Sequence, residues 1–161
     1  MSELVSVELG LARIAEAPTL ARMSREYIEH GLGWRWRPPA IRNMILNRDA
    51  VVLCARCIHD TDGSGVTIGG FGVMQFDFER AHLNLLAVDP SMRRQGIARK
   101  LLTWLEKTAD VAGLKRITLE VRARNSGARN FYLRLGYAEK EYIPRYYNDR
   151  ETAMRMTKKL R

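Results

Sequence analysis

The stretch LLAVDPSMRRQGIARKLLTWL, residues 85–105, decides the reading of the fold. Its first part is an apolar run that stops at Pro90, as a buried strand would. From Gln95 the rhythm changes. Ile97, Leu101, Leu105, Ala109 and Ala112 recur every three or four residues, and Leu102 widens the stripe. This predicts a helix over 95–113 that stops at Gly113. Between strand and helix stands Arg93-Arg94-Gln95-Gly96. The first amides of a helix lack intrahelical partners, and Ser, Thr, Asp or Asn usually cap them. Met92, Arg93 and Arg94 cannot accept hydrogen bonds from those amides, and Asp89 and Ser91 lie early for the task unless the helix begins a turn sooner. Bare amides, the helix dipole, two guanidiniums and a glycine that permits close approach make a receptor for an anion such as phosphate.

Working outward, residues 4–14 alternate as a first strand, and 18–30 have helical spacing with Pro18 just inside the start. A Trp-rich turn, GLGWRWRPP, leads to a short helix over 40–47. Strands over 50–59 and 66–78 are joined by DTDGSG, in which Asp62-Gly63 is a hairpin signal. Residues 81–89 form the strand before the junction, and 116–123 alternate as another. Asn125 or Ser126 can cap a helix over 127–135 that ends at Gly136, and strands over 137–143 and 151–159 close the chain. The order β-α-α-β-β-β-α-β-α-β-β predicts a single α/β (α+β) domain over residues 1–161. Its sheet is mixed and mostly antiparallel, with helices on both faces.

The charge is lopsided. Residues 1–92 hold nine Lys/Arg against eleven Asp/Glu, and residues 93–161 hold eighteen against seven, so the net +9 comes from the Arg93-Arg94 pair onward. A basic half points to an anionic partner without choosing its kind. No apolar run reaches the ~18 residues of a membrane span, and MSELVSVELGLARIAEA, with Glu3 and Glu8, does not read as a signal peptide, so a cytoplasmic location is expected. Cys54 and Cys57, with His59 nearby, sit three apart on a buried strand, where they point to opposite faces. They read as core thiols, and no metal is expected. A P-loop pattern is absent, and GSGVTIGG fails the dinucleotide spacing and lies in a hairpin.

VDPSMRRQGIARKLL resembles the signature of the GNAT N-acetyltransferases, [Q/R]-x-x-G-x-[G/A], with Arg93, Gly96 and Ala98 at its positions. The resemblance implies a GNAT-like domain whose loop, Arg93, Arg94, Gln95, Gly96, Ile97 and Ala98, binds the pyrophosphate of acetyl-coenzyme A, the acetyl donor. It also implies that the backbone at Leu86 and Val88, in the strand before the signature, supports the thioester, and that Asn125 either contacts the cofactor or simply caps its helix. Tyr132 matches the family's frequent general acid. Glu120 shares the polar face of its strand with Thr118 and Arg122. It is the candidate base, expected to have a raised pKa if partly buried, or else the partner of a nearby Arg.

LEVRARNSGARNFYLRLGY and IPRYYNDRETAMRM are similar to a narrower group, the bacterial ribosomal-protein alanine N-terminal acetyltransferases. There a Tyr-Tyr pair between the last two strands holds the substrate backbone, which points to Tyr146 and Tyr147. The chain departs from that pattern at Glu151-Thr152-Ala153, where an acidic pair usually precedes the Ala. HGLGWRWRPPAIRNM is not part of it either, and there Trp34 and Trp36 line the acceptor wall or anchor the helices. The expected acceptor is a peptide or protein α-amine, with a small amine as alternative. A basic nucleic-acid-binding module and a coenzyme A binder without transferase activity remain as other classes. A monomer and a homodimer are equally open.

Overall fold

A computed structural model describes residues 4, 6–60, 62 and 64–161. Gly63 of the expected hairpin turn, Glu3 and Val5 lie outside the described residues. The strands are β1 (Ser6–Leu11), β2 (Ala50–Ile58), β3 (Val66–Phe76), β4 (Arg80–Val88), β5 (Arg116–Arg122), β6 (Ala138–Tyr147) and β7 (Glu151–Lys159). The helices are α1 (Ala17–Tyr27), α2 (Pro38–Leu46), α3 (Ile97–Val111) and α4 (Ser126–Arg134). One seven-stranded sheet runs β1-β2-β3-β4-β5-β7-β6, and every neighbouring pair is antiparallel except β4 with β5. Element order and sheet type are as the sequence predicts. None of the described helices is long and apolar enough to cross a membrane.

The sheet carries a core on each face. On one side α3 buries Ile97, Leu101, Leu102, Leu105 and Ala109 against Leu53, Met74, Leu83 and Leu119, and α4 adds Tyr132. Each fully buried Leu or Ile there contributes about 1.5–3 kcal/mol, which is why so short a stripe fixes the helix on the sheet. Gly70 lets α3 approach β3, since a Cβ there would lie 2.9 Å from the Ala87 carbonyl oxygen and 3.2 Å from Ile97. On the other side α1 and α2 bury Leu20, Met23 and Ile41 against Cys54, Phe71, Val73 and Leu85. Cys54 and Cys57 are both fully buried and belong to different cores, as their spacing requires.

Two irregularities of β4 shape the functional region. Val73 of β3 lies opposite Leu85 but the next residue, Met74, lies opposite Leu83, so Asn84 bulges out of register. In addition, β4 pairs with β5 only from Arg80–Arg116 to Leu83–Leu119. Beyond that point β4 continues to Val88 and β5 to Arg122 without pairing to each other. The sheet therefore splays open, and the rest of β4 offers that gap an edge of backbone N–H and C=O groups.

Some boundaries differ from the sequence reading. The strand β6 runs on through Pro144 to Tyr147 by a bulge, with Arg145 at φ 58°. The tyrosine pair thus ends a strand instead of standing in a loop. Helix α3 starts at Ile97, not Gln95, because Pro90–Met92 form their own short 3-10 turn, capped by Asp89.

Candidate active site

The junction in the opening stretch is built as its residues suggest. Asp89 accepts from the Ser91 amide (2.9 Å) and hydroxyl (2.8 Å) and so serves the 3-10 turn, leaving α3 without a side-chain cap. The chain enters α3 through Arg94 at φ 67° and Gly96 at φ 75°, the left-handed region that Gly occupies at no cost. The first intrahelical bond is Lys100 N–H to the Gly96 carbonyl, so the preceding amides of the first turn are free to meet an anion. Arg93, Arg94 and Gln95 are exposed around them, Ile97 is buried beneath, and Ala98 is half-buried.

A cavity of about 750 Å³ occupies the splay. Its lining includes Leu86 of β4, Glu120 of β5, Asn125 and Tyr132 of the α4 region, and Tyr146 and Tyr147 of β6. Tyr132 belongs to the α3-side core, whereas Glu120 shares the opposite face with Thr118, so the cavity joins the two faces of the sheet. Here the sequence reading missed a residue. His82, paired with Thr118 across β4 and β5, reaches diagonally to Glu120, with Nε2 2.7 Å from Oε2. Its only signal in the sequence is a polar ring within an apolar strand. Asn84 was missed as well; its Oδ1 is buried at the bulge with no partner among the described residues.

The Glu120 side chain is only 10% exposed, and its second oxygen accepts from Arg155, directly opposite on β7, and from the Tyr146 hydroxyl, each at 3.3 Å. The expectation of a raised pKa is corrected. Burial does push the carboxyl up, but hydrogen bonds and charge from His82 and Arg155 outweigh it and hold Glu120 below the usual carboxylate range. The Arg partner considered for Glu120 is Arg155, from a strand adjacent in space and distant in sequence. Burial raises the Tyr132 phenol well above its ordinary value, so it is a protonated donor at neutral pH. The Tyr146 phenol is raised too, by burial and then by Glu120, with Arg155 and Arg35 opposing. Arg35 stands on the loop between α1 and α2, so its influence links the two walls of the mouth.

That loop forms one wall of the cavity, and two hooks hold it. Glu29 accepts from the Ser24 hydroxyl (2.9 Å) and from the amides of Arg35 (2.8 Å) and Trp36 (3.2 Å). From β5, the buried Arg122 guanidinium donates to the carbonyls of Ile28 (2.8 Å) and His30 (2.6 Å) and to Glu151 (3.3 Å). Trp36 lines the cavity. Trp34 does not: its Nε1–H donates to the Ala21 carbonyl of α1, and Arg25 and Arg37 stack on its ring. The substrate role expected for Trp34 is therefore corrected to that of an anchor. Val88 and residues 93–98 lie outside the cavity lining, at the approach to α3. Asn125 does line it, but Oδ1 is committed to capping α4 through the Ala128 amide at 3.1 Å, which answers the choice between Asn125 and Ser126.

A splayed mixed sheet thus has an uncapped helix start beside the splay, and the Tyr132 phenol and the Glu120 carboxylate line one cavity. The chain belongs to the acetyltransferase (GNAT) family, whose model matches residues 20–137. It is 36% identical over 104 residues to an uncharacterized N-acetyltransferase of Methanocaldococcus jannaschii, covering 64% of this chain and 66% of that protein. It is 37% identical over 90 residues to the ribosomal protein bS18-alanine N-acetyltransferase of Haemophilus ducreyi, covering 53% and 62%. The chain thus spans less than two thirds of the length of either relative. The fold is that of a Thermoplasma acidophilum PaiA N-acetyltransferase solved in complex with coenzyme A, with a TM-score of 0.78 at 22% identity over 96% of this chain and 99% of that one.

Proposed function

We propose that the protein transfers an acetyl group from acetyl-coenzyme A to the α-amine at the N-terminus of a peptide or protein. The observation that carries this reading is the cavity through the splay, which faces the His82–Glu120 pair from one side of the sheet and Tyr132 from the other. The residues present fit the donor. Free amides of the α3 start, with Arg93 and Arg94 beside them, suit its diphosphate, and the unpaired edge of β4 at Leu86 and Val88 suits an extended arm carrying amides. Acetyl-coenzyme A supplies the acetyl group already activated as a thioester.

The chain's own residues then have separate tasks. The His82–Glu120 pair takes the proton that the acceptor ammonium must lose, and Arg155 and Tyr146 fix the orientation of Glu120. Backbone N–H groups of the splayed β4 stabilise charge building on the carbonyl oxygen. Tyr132, kept protonated by burial, gives its proton to the departing sulfur. Tyr146 and Tyr147, packed edge to face at 4.9 Å, form the wall along which the first residues of the acceptor lie. The relatives named for alanine N-acetyltransfer support a peptide acceptor.

The test is an acceptor comparison. Purified protein is incubated with acetyl-coenzyme A and a panel of peptides with free N-termini, the same peptides N-terminally blocked but carrying Lys, and small amines, reading free thiol and product mass. The proposal expects acetylation of free N-termini alone. Turnover confined to small amines or to blocked peptides refutes it.

A further inference from the structure

The acceptor-side mouth has an unbalanced charge. Its carboxylates are already committed within the protein: Glu29 to Ser24 and two amides, Glu120 to His82 and Arg155, Glu151 to Arg122 and Arg124. Its arginines include several that are not. Arg35 lines the cavity, is exposed, and has no ion pair among the described residues. Arg145 and Arg150 flank the cavity-lining segment Tyr146–Asn148, both exposed and likewise without an ion pair among the described residues. Arg25 and Arg37 stack on Trp34 without a carboxylate partner among them. The acid against this group is Asp149, in the turn between β6 and β7. These cations stand on the last turn of α1, the α1–α2 loop and the β6–β7 hairpin, whereas the cations beside the proposed cofactor loop, Arg93, Arg94, Arg99 and Lys100, stand at the start of α3.

From this arrangement we infer that the acceptor is a polypeptide with acidic residues shortly after its N-terminus. The inference rests on the peptide reading proposed above and narrows it. Tyr146 meets Glu120, and the cavity lining continues through Tyr147 to Asn148, with Arg35 also in the lining and Arg150 two residues further along the chain, so a chain extended along this wall at about 3.3 Å per residue comes to these cations within a few residues. A carboxylate there meets guanidiniums that no protein carboxylate neutralises, whereas a basic acceptor meets repulsion on both sides. Exposed pairs of this kind are screened by salt, so the preference depends on ionic strength.

The experiment uses the full chain, acetyl-coenzyme A and sets of three peptides, each set sharing its first two residues and carrying Glu, Ser or Arg at positions three to six. The expected order of kcat/KM is Glu, then Ser, then Arg, with about tenfold between Glu and Ser at low salt, shrinking to about twofold near 0.5 M salt. In the Arg35→Gln/Arg150→Gln variant the Glu-to-Ser ratio falls toward one. Equal rates for the three peptides, or the fastest rate for the Arg peptide, overturn the acidic preference and leave the peptide reading standing. No turnover of any peptide, with turnover of small amines, removes both. If polyuridylate inhibits the Ser peptide while Glu and Ser peptides react alike, the rim serves nucleic acid and the inference fails.

Discussion

Arg122→Met removes the hook from β5 to the α1–α2 loop, the proposed acceptor wall, while keeping most of the side chain's length. The wild-type guanidinium is nearly buried, with its side chain 10% exposed, and it satisfies two backbone carbonyls, Ile28 and His30. Bonds of this charge-assisted type are worth ~1.5 kcal/mol or more each, so losing both costs about 3 kcal/mol. The bond to Glu151 adds little, because it is long and Glu151 keeps Arg124 at 2.6 Å. For a domain of this size about 3 kcal/mol lowers the melting temperature by about 6–12 °C. Part of the loss appears as loosening of the α1–α2 loop in the folded state. If half of it falls there, the ratio of loosened to competent loop rises about tenfold, and KM for the acceptor rises by up to that factor. KM for acetyl-coenzyme A changes far less, since among the described residues no hydrogen bond in the structure joins this loop to residues 93–100. Thermal melts and two-substrate kinetics test both parts. A melting temperature within about 2 °C of wild type, or a large drop with an unchanged acceptor KM, refutes the idea that Arg122 holds the wall in place.

Three other substitutions probe the rest of the site. Gly96→Glu puts a side chain at φ 75° and a carboxylate among the free amides, where open space surrounds the Cβ. It should abolish acetyl-coenzyme A binding by calorimetry while far-UV circular dichroism stays native. Tyr132→Phe should lower kcat by about 10²-fold or more with little change in either KM, as expected for a lost proton donor; an unchanged kcat removes it from the mechanism. Glu120→Gln should lower kcat/KM throughout the neutral range, where the wild-type carboxylate is already ionised, and an unchanged kcat/KM removes it from the proposed proton-accepting pair. Because the folded pKa of Glu120 lies below its unfolded value near 4.3, its stabilising contribution is complete above that value and is lost as pH falls through the lower folded one. The variant therefore melts below wild type at neutral pH, and the gap narrows in acid.

How much of this was legible in the sequence depends on how far apart the cooperating residues lie. The α3 junction was legible because its physics is local. The absence of a capping side chain, the glycine and the change of period all fall within a dozen residues, and they survive in the structure with only a two-residue shift of the helix start. The opposite directions of Cys54 and Cys57 were legible for the same reason, being set by strand geometry alone. The electrostatics of Glu120 were not. Burial by itself would have raised its pKa, as expected, and the sign was reversed by His82, 38 residues earlier, and Arg155, 35 residues later. Both owe their places to strand order: β4 lies parallel to β5 on one side, and β7 inserts between β5 and β6 on the other. Nothing in a single strand's alternation states which strand will be its neighbour. Trp34 and Trp36 show the same limit at shorter range. Two residues apart in a loop that hooks back through Glu29, they have no strand periodicity to sort them. The structure assigns Trp34 to α1 through its Nε1–H bond and leaves Trp36 to the cavity. The proposed anion receptor is thus written in one segment, whereas the groups proposed to handle protons are written in pairs that only the topology of the sheet brings together.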